Sequence, residues 1–306
     1  MNMATFSKRE YAREREQERK IALMKASPAK PLRRKLSTLL LFVLMTLVGL
    51  LMLVPLWWMI STSLKSMQEI MSYPPTIVPE QVHWDNYIHA WQKGHFGRYA
   101  LNTLLLAGIG VFSHVLSNTF VAYGFAKIRF KGKKLLFSIM LGTMMIPSFV
   151  TLIPQYILFS KLHWINTYLP LTVPGFFGSA FQIFLVRQFF MTIPNELIEA
   201  GKVDGANHFR IWWQLMLPLS LPVIATIAIM TFQGAWNDFT GPLIYINSES
   251  LFNLQIGLQA FKSTETTQWH YLMAGSVIVL LPVVLLFFLF QKYFIEGMNI
   301  SSATKG

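Results

Sequence analysis

Residues 199–206 read Glu-Ala-Gly-Lys-Val-Asp-Gly-Ala, the most polar short interval in the second half of the chain. The chemistry open to them is recognition of a protein surface. Read as a helix from about Pro194, the stretch places Leu197, Ala200, Gly201 and Asp204 on one face at i, i+3, i+4 and i+7. Small side chains at its centre let another backbone approach closely, and Glu196 and Glu199 offer carboxylates to basic groups on whatever approaches. Asp204-Gly205 then reads as a turn, with Asp204 able to cap the helix that follows.

A second group could handle a solute. Gln233, Trp236 and Asn237 combine a stacking face with amides, which suits hydroxyl-rich ligands; an interfacial aromatic followed by a helix cap explains Trp236 and Asn237 equally well. His114 stands in an otherwise apolar run, where facing lipid would be costly. It either bonds to a neighbouring helix or lines a pathway. Asn247-Ser248-Glu249-Ser250 reads as an exposed turn.

Catalytic devices are missing. The sequence holds no phosphate loop of the form G-x-x-x-x-G-K-[ST], no H-E-x-x-H and no G-x-S-x-G. Ser113 and His114 are neighbours on one helix, about 100° apart, so they cannot face each other as nucleophile and base. With no cysteine there is no disulfide framework and no thiolate metal site, and no metal or bound cofactor is expected.

The elements that must position these residues are membrane helices. Hydrophobic residues make up 53% of the 306 and charged residues 13%. Six intervals, between Lys35 and Lys65, Arg98 and Lys127, Lys134 and Lys161, Lys161 and Arg187, Arg210 and Asp238, and Glu265 and Lys292, contain no Asp, Glu, Lys or Arg. Each is long enough for the ~20 helical residues that a hydrocarbon core requires. The spacing predicts an all-α polytopic membrane protein with spans at about 37–61, 99–126, 135–159, 167–190, 213–236 and 270–291. The first run is too long for a signal-peptide core and reads as a retained helix. With an internal N-terminus, 21 of the 26 Lys and Arg fall on the inside, which places both termini and the 191–212 loop in the cytoplasm. The formal charge of +12 then follows from topology, and no nucleic-acid partner is expected. Residues 1–36 form a basic arm set against anionic headgroups of the membrane lipid, ahead of a transmembrane domain at 37–306.

Pro147, Pro154, Pro170, Pro174, Pro218 and Pro222 interrupt spans three to five. Freed carbonyls are tolerated where neighbouring helices or a water-filled cavity satisfy them, as in a moving transport pathway, although Pro is also commoner in membrane helices generally. The spans carry no carboxylate for a driving ion, so an ion-coupled secondary transporter is the weaker reading and energy must come from outside the chain.

Glu199-Ala200-Gly201, Asp204-Gly205-Ala206, Ile211 and Leu217-Pro218 together resemble the E-A-A loop of ABC importer permeases, with Gly201 where that family has a second alanine. Trp236-Asn237-Asp238-Phe239 with Pro242-Leu243 is similar to a signature of the maltose-type carbohydrate permeases, and Phe294 through Gly306 to their C-terminal tail. The resemblance covers 37–306 and implies a type I importer fold with proline-kinked helices in a bacterial-type plasma (inner) membrane. It further implies that Glu199, Ala200, Gly201, Asp204, Gly205 and Ala206 form a coupling helix for a cytosolic ATPase, and that Pro218 is a hinge. Gln233, Trp236, Asn237 and His114 would lie along the substrate pathway, and Asn247, Ser248 and Glu249 would meet a binding protein. The implied partners are a second homologous permease, two ATPase subunits that use ATP and Mg, and an extracytoplasmic sugar-binding protein; the tail at Thr304-Lys305-Gly306 would touch the ATPases. The expected cargo is a sugar or oligosaccharide, with a glycerophosphate or polyol as the alternative.

Overall fold

The computed structural model describes residues 32–262 and 267–302. Most of the basic arm, Glu265 and the last four residues, including the expected Thr304–Gly306 contact, lie outside them. Among the described residues the regular secondary structure is helical, apart from one isolated bridge between Lys262 and Thr267. It divides into two compact units after Trp57.

The first unit is described from Leu32 to Trp57, within helix α1 (Leu32–Ser63). Its large apolar side chains from Leu39 to Trp57 are exposed. A face apolar all round and unburied is stable only where lipid surrounds it.

The second unit is built around α3 (Phe96–Lys127), about 48 Å long at 1.5 Å per residue. Ahead of it, α2 (Asp85–Lys93) belongs to a folded cap whose buried Asn86 donates to the Ser63 and Lys65 carbonyls at 3.0 and 2.9 Å. After α3 come α4 (Lys133–Thr143) and α5 (Ser148–Lys161), bent by 96° at a break ending in Pro147. A helical turn (Leu169–Thr172) and a 3-10 turn (Val173–Phe177) lead through Gly178 to α6 (Ala180–Thr192). Then follow α7 (Asn195–Val203), α8 (His208–Leu219) and α9 (Leu221–Trp236), the last two bent by 84°. Short helices α10 (Thr240–Tyr245) and α11 (Leu254–Gln259) precede α12 (Trp269–Ser302).

Four described stretches are long and apolar enough to cross a membrane: Ser37–Ser63, Phe96–Lys127, Leu169–Thr192 and Trp269–Gln291. The count reaches six when α4 with α5 and α8 with α9 are each taken as one span. Spans three and five of the sequence reading are those bent pairs. α12 continues past the expected end of span six at about 291 to Ser302.

α3 packs most extensively on α9 and α6. At one end its core joins Tyr123, Val186, Phe190, Ile198, Ile211, Trp212, Met216 and Ile227; at the other it joins Phe96, Tyr99, Trp236, Leu254, Phe261, Leu272 and Val279. Lipid tails are as apolar as these side chains, so close packing and interhelical hydrogen bonds hold the bundle more than transfer from water does.

Candidate functional site

α7 starts after Pro194, whose fixed φ (here −57°) suits a helix entrance, and ends at Gly205 with φ +79°. The Ala206 N–H bonds the Gly201 carbonyl at 2.9 Å and the Gly205 N–H that of Lys202 at 3.0 Å, a Schellman closure that requires the left-handed residue at 205. The following helix is capped by Asn207, whose Oδ1 accepts from the Arg210 N–H at 2.9 Å. That corrects the cap expected from Asp204, which lies three residues too early and ends α7 instead.

The faces of α7 also differ from the sequence reading. Ile198 is buried and Gly201 turns inward, where an added Cβ would stand 3.4 Å from Ile211. Glu196, Leu197, Glu199, Ala200, Val203, Asp204 and Gly205 are exposed, while Ala206 packs partly against the core. Val203, 87% exposed, is an apolar contact that the sequence reading passed over. Among the described residues Glu199 has no ion-pair partner, so its carboxylate is free for an incoming cation.

The start of α7 and the start of α8 are both held to α3. Lys127 Nζ donates to the Ile193 carbonyl at 2.5 Å and to Asn195 Oδ1 at 2.9 Å; the Tyr123 hydroxyl meets His208 Nδ1 at 2.9 Å. Arg187 Nε donates to the Phe125 carbonyl at 3.0 Å and its guanidinium lies over the Phe137 ring at 4.2 Å.

Around the junction of α8 and α9 two prolines four apart withdraw two helical donors one turn apart. Pro218 cannot donate to the Gln214 carbonyl, nor Pro222 to that of Pro218. Residues Trp212–Met216 widen into a π turn, and the chain breaks at the buried Ser220, φ −111° and ψ 18°. The break thus lies two residues beyond Pro218, where the hinge was expected.

The predicted solute group separates. His114 Nδ1 lies 3.0 Å from Gln182 Oε1, an acceptor, a contact that is a hydrogen bond in the tautomer with the proton on Nδ1. Asn118 Nδ2 donates to the same oxygen at 2.6 Å and its Oδ1 accepts from the Ser179 N–H at 2.7 Å; Gln182 Nε2 donates to Thr231 Oγ1 at 3.0 Å. The network ties α3, α6 and α9 beside a cavity of about 320 Å³ lined by His114, Gln182, Thr231, Gly234, Asp238 and Asn253 among others. Trp236 does not join it. Only 2% exposed, it stacks on Phe232 and donates to the Val279 carbonyl at 3.0 Å, which leaves no ring face for a solute. Asn237 closes α9 by bonding back to the Gln233 carbonyl at 3.0 Å, and Gln233 is half-buried beside it. Gln182, Thr231 and Asp238 carry the cavity, and the only sequence signal for the first two was a pair of polar residues inside apolar runs.

In the loop beyond α10, Asn247 and Glu249 are exposed and Ser248 is half-buried. Asn166, at φ +63°, accepts from the Asn247 and Ser248 N–H groups at 3.0 and 2.9 Å and donates to Ser248 Oγ at 2.8 Å. Asn102 bonds the Ser250 and Phe252 carbonyls at 3.0 and 2.8 Å. The loop is thus pinned to α3 and to the turn after α5.

Residues 118–300 match the family described as binding-protein-dependent transport system inner membrane component. A probable ABC transporter permease protein of Bacillus subtilis, YurM, is 33% identical over 82% of this chain and 83% of its own length. The arabinooligosaccharides transport system permease protein AraQ of the same species is 32% identical over 83% and 91%. The sn-glycerol-3-phosphate permease protein UgpE of Yersinia pestis is 31% identical over 83% and 94%. A chain of a bacterial ABC transporter involved in import of the acidic polysaccharide alginate superposes with a TM-score of 0.76 at 23% identity, covering 88% of this chain and all of that one.

Proposed function

Since the chain belongs to the family of binding-protein-dependent transport system inner membrane components, the permeases of ABC importers, we propose that it is one of two permease subunits importing a sugar or oligosaccharide. An extracytoplasmic binding protein delivers the solute, and two cytosolic ATPase subunits, using ATP and Mg, drive the cycle. In this reading 37–306 is the permease domain, 1–36 an arm on the cytoplasmic membrane face, and both termini are cytoplasmic. The observation that carries the reading is α7: a capped helix with a free carboxylate at Glu199 and an exposed apolar tip at Val203, leading directly into a bent helix pair.

The steps follow from these parts. Closure of the ATPases pushes on the Glu199, Ala200 and Val203 face. Gly201, Asp204, Gly205 and Ala206 keep the end of α7 compact against Ile211, so the push reaches α8. The break at Ser220, set by Pro218 and Pro222, lets α8 swing relative to α9 and changes the opening of the cavity at His114, Gln182 and Asp238. Asn247, Ser248 and Glu249 meet the binding protein from a pinned loop. The sugar reading is supported by the arabinooligosaccharide relative and by amide and carboxylate lining suited to hydroxyl groups; the glycerophosphate relative supports the second reading.

The test is uptake by proteoliposomes containing this chain, its partner permease, the ATPases and a sugar-loaded binding protein. ATP-dependent sugar uptake that fails when the ATPases are omitted is expected. Uptake driven by a proton or sodium gradient without them would overturn the proposal.

A further inference from the structure

The cavity between α3, α6 and α9 has one carboxylate, Asp238, and no Lys or Arg among its lining residues. The rest of its polar surface is amide, hydroxyl and imidazole: Gln182, Asn253, Thr231 and His114. Asp238 Oδ1 accepts the Gly241 N–H at 3.0 Å, and Asn253 Nδ2 donates to the Asp238 carbonyl at 2.6 Å, so both are fixed in place. Burial pushes the Asp238 carboxyl above its ordinary value, partly offset by the Gly241 and Thr240 N–H groups.

We propose that Asp238 makes this cavity anion-excluding, so that the passage accepts neutral hydroxyl-rich solutes and rejects solutes bearing phosphate or carboxylate. A sugar hydroxyl can donate to the carboxylate, whereas an anion meets a like charge in a partly desolvated wall with no cation to offset it. The inference rests on the transport reading and narrows its substrate class. Asp238 also holds the entrance of α10 through Gly241. Asp238→Asn keeps that acceptor and removes only the charge, which separates the two roles.

The chain has no cysteine, so a single introduced thiol reports the cavity. At Gly234 an added Cβ meets nothing within 4 Å, which makes Gly234→Cys the first choice; Met230→Cys, on an exposed lining residue, is the second. In membranes holding the complete complex, each thiol is reacted with a cationic trimethylammonioethyl and an anionic sulfonatoethyl methanethiosulfonate. Modification is read on this chain by mass, and each rate is normalised to the reagent's rate with 2-mercaptoethanol. The cationic reagent should be favoured by about tenfold or more, and Asp238→Asn should bring the ratio close to one. A ratio near one or below with Asp238 present, a ratio that Asp238→Asn leaves unchanged, or no reaction at either position overturns the proposal. Labelling needs no transport, so failed sugar uptake with the expected ratio removes only the transport reading. Normal uptake with no charge preference removes only the anion exclusion.

Discussion

At Gln182 one amide oxygen receives Asn118 and His114 while the amide nitrogen donates to Thr231. Replacing it with leucine strands three buried or half-buried polar groups, which should cost about 1–3 kcal/mol and lower the thermal unfolding midpoint of the purified protein by several degrees. Gly175 is a second tight point. A Cβ there would stand 2.5 Å from Ser113 Oγ and 3.0 Å from His114 Cδ2, so Gly175→Ala should destabilise by about 1–3 kcal/mol. Gly201→Ala, meeting Ile211 at 3.4 Å, should leave the unfolding midpoint near that of the parent; the same melting measurement separates the two glycines. Asp238 makes a pH-dependent contribution. Because burial raises its folded value, its contribution is complete below the ordinary carboxylate range and is lost as pH rises through the raised value. Asp238→Asn should flatten that part of the stability profile. The residue scale was the least legible in sequence. Trp236 reads as a ligand platform until the Val279 carbonyl, 43 residues away, takes its N–H, and Gly201 reads as part of a docking face until Ile211 claims that side of α7.

At the scale of elements, sequence reasoning was stronger, because it rests on local chemistry. Uncharged intervals marked the candidate spans, and Pro147, Pro218 and Pro222 lie beside the breaks that divide two of them. Proline marks where donors are missing, but where the chain bends depends on packing; the buried Ser220 and the π turn at Trp212–Met216 absorb the strain here. Pro218→Ala returns a donor to Gln214. The π turn should then relax toward α-helix, with slower amide hydrogen exchange across residues 212–219 and, if the break is the transmitting hinge, slower ATP-driven uptake. Unchanged exchange in that segment would show that the widening does not depend on Pro218.

At the scale of the whole molecule, the all-α membrane architecture was readable from composition and charge, since lipid leaves few alternatives to helices and charged loops must sit outside it. The cavity was not readable, because α3, α6, α9 and the loop before α11 bring together residues as far apart as His114 and Asn253. The central claim is that α7 receives force from an external ATPase through Glu199 and the apolar tip at Val203. The most direct measurement is binding-protein-stimulated ATP hydrolysis and sugar uptake by the reconstituted complex carrying Glu199→Lys. The account predicts that charge reversal at this exposed site leaves the folded subunit intact, as judged by its melting curve, and lowers both coupled activities by about tenfold or more. Uptake and stimulated hydrolysis equal to the parent's would contradict it.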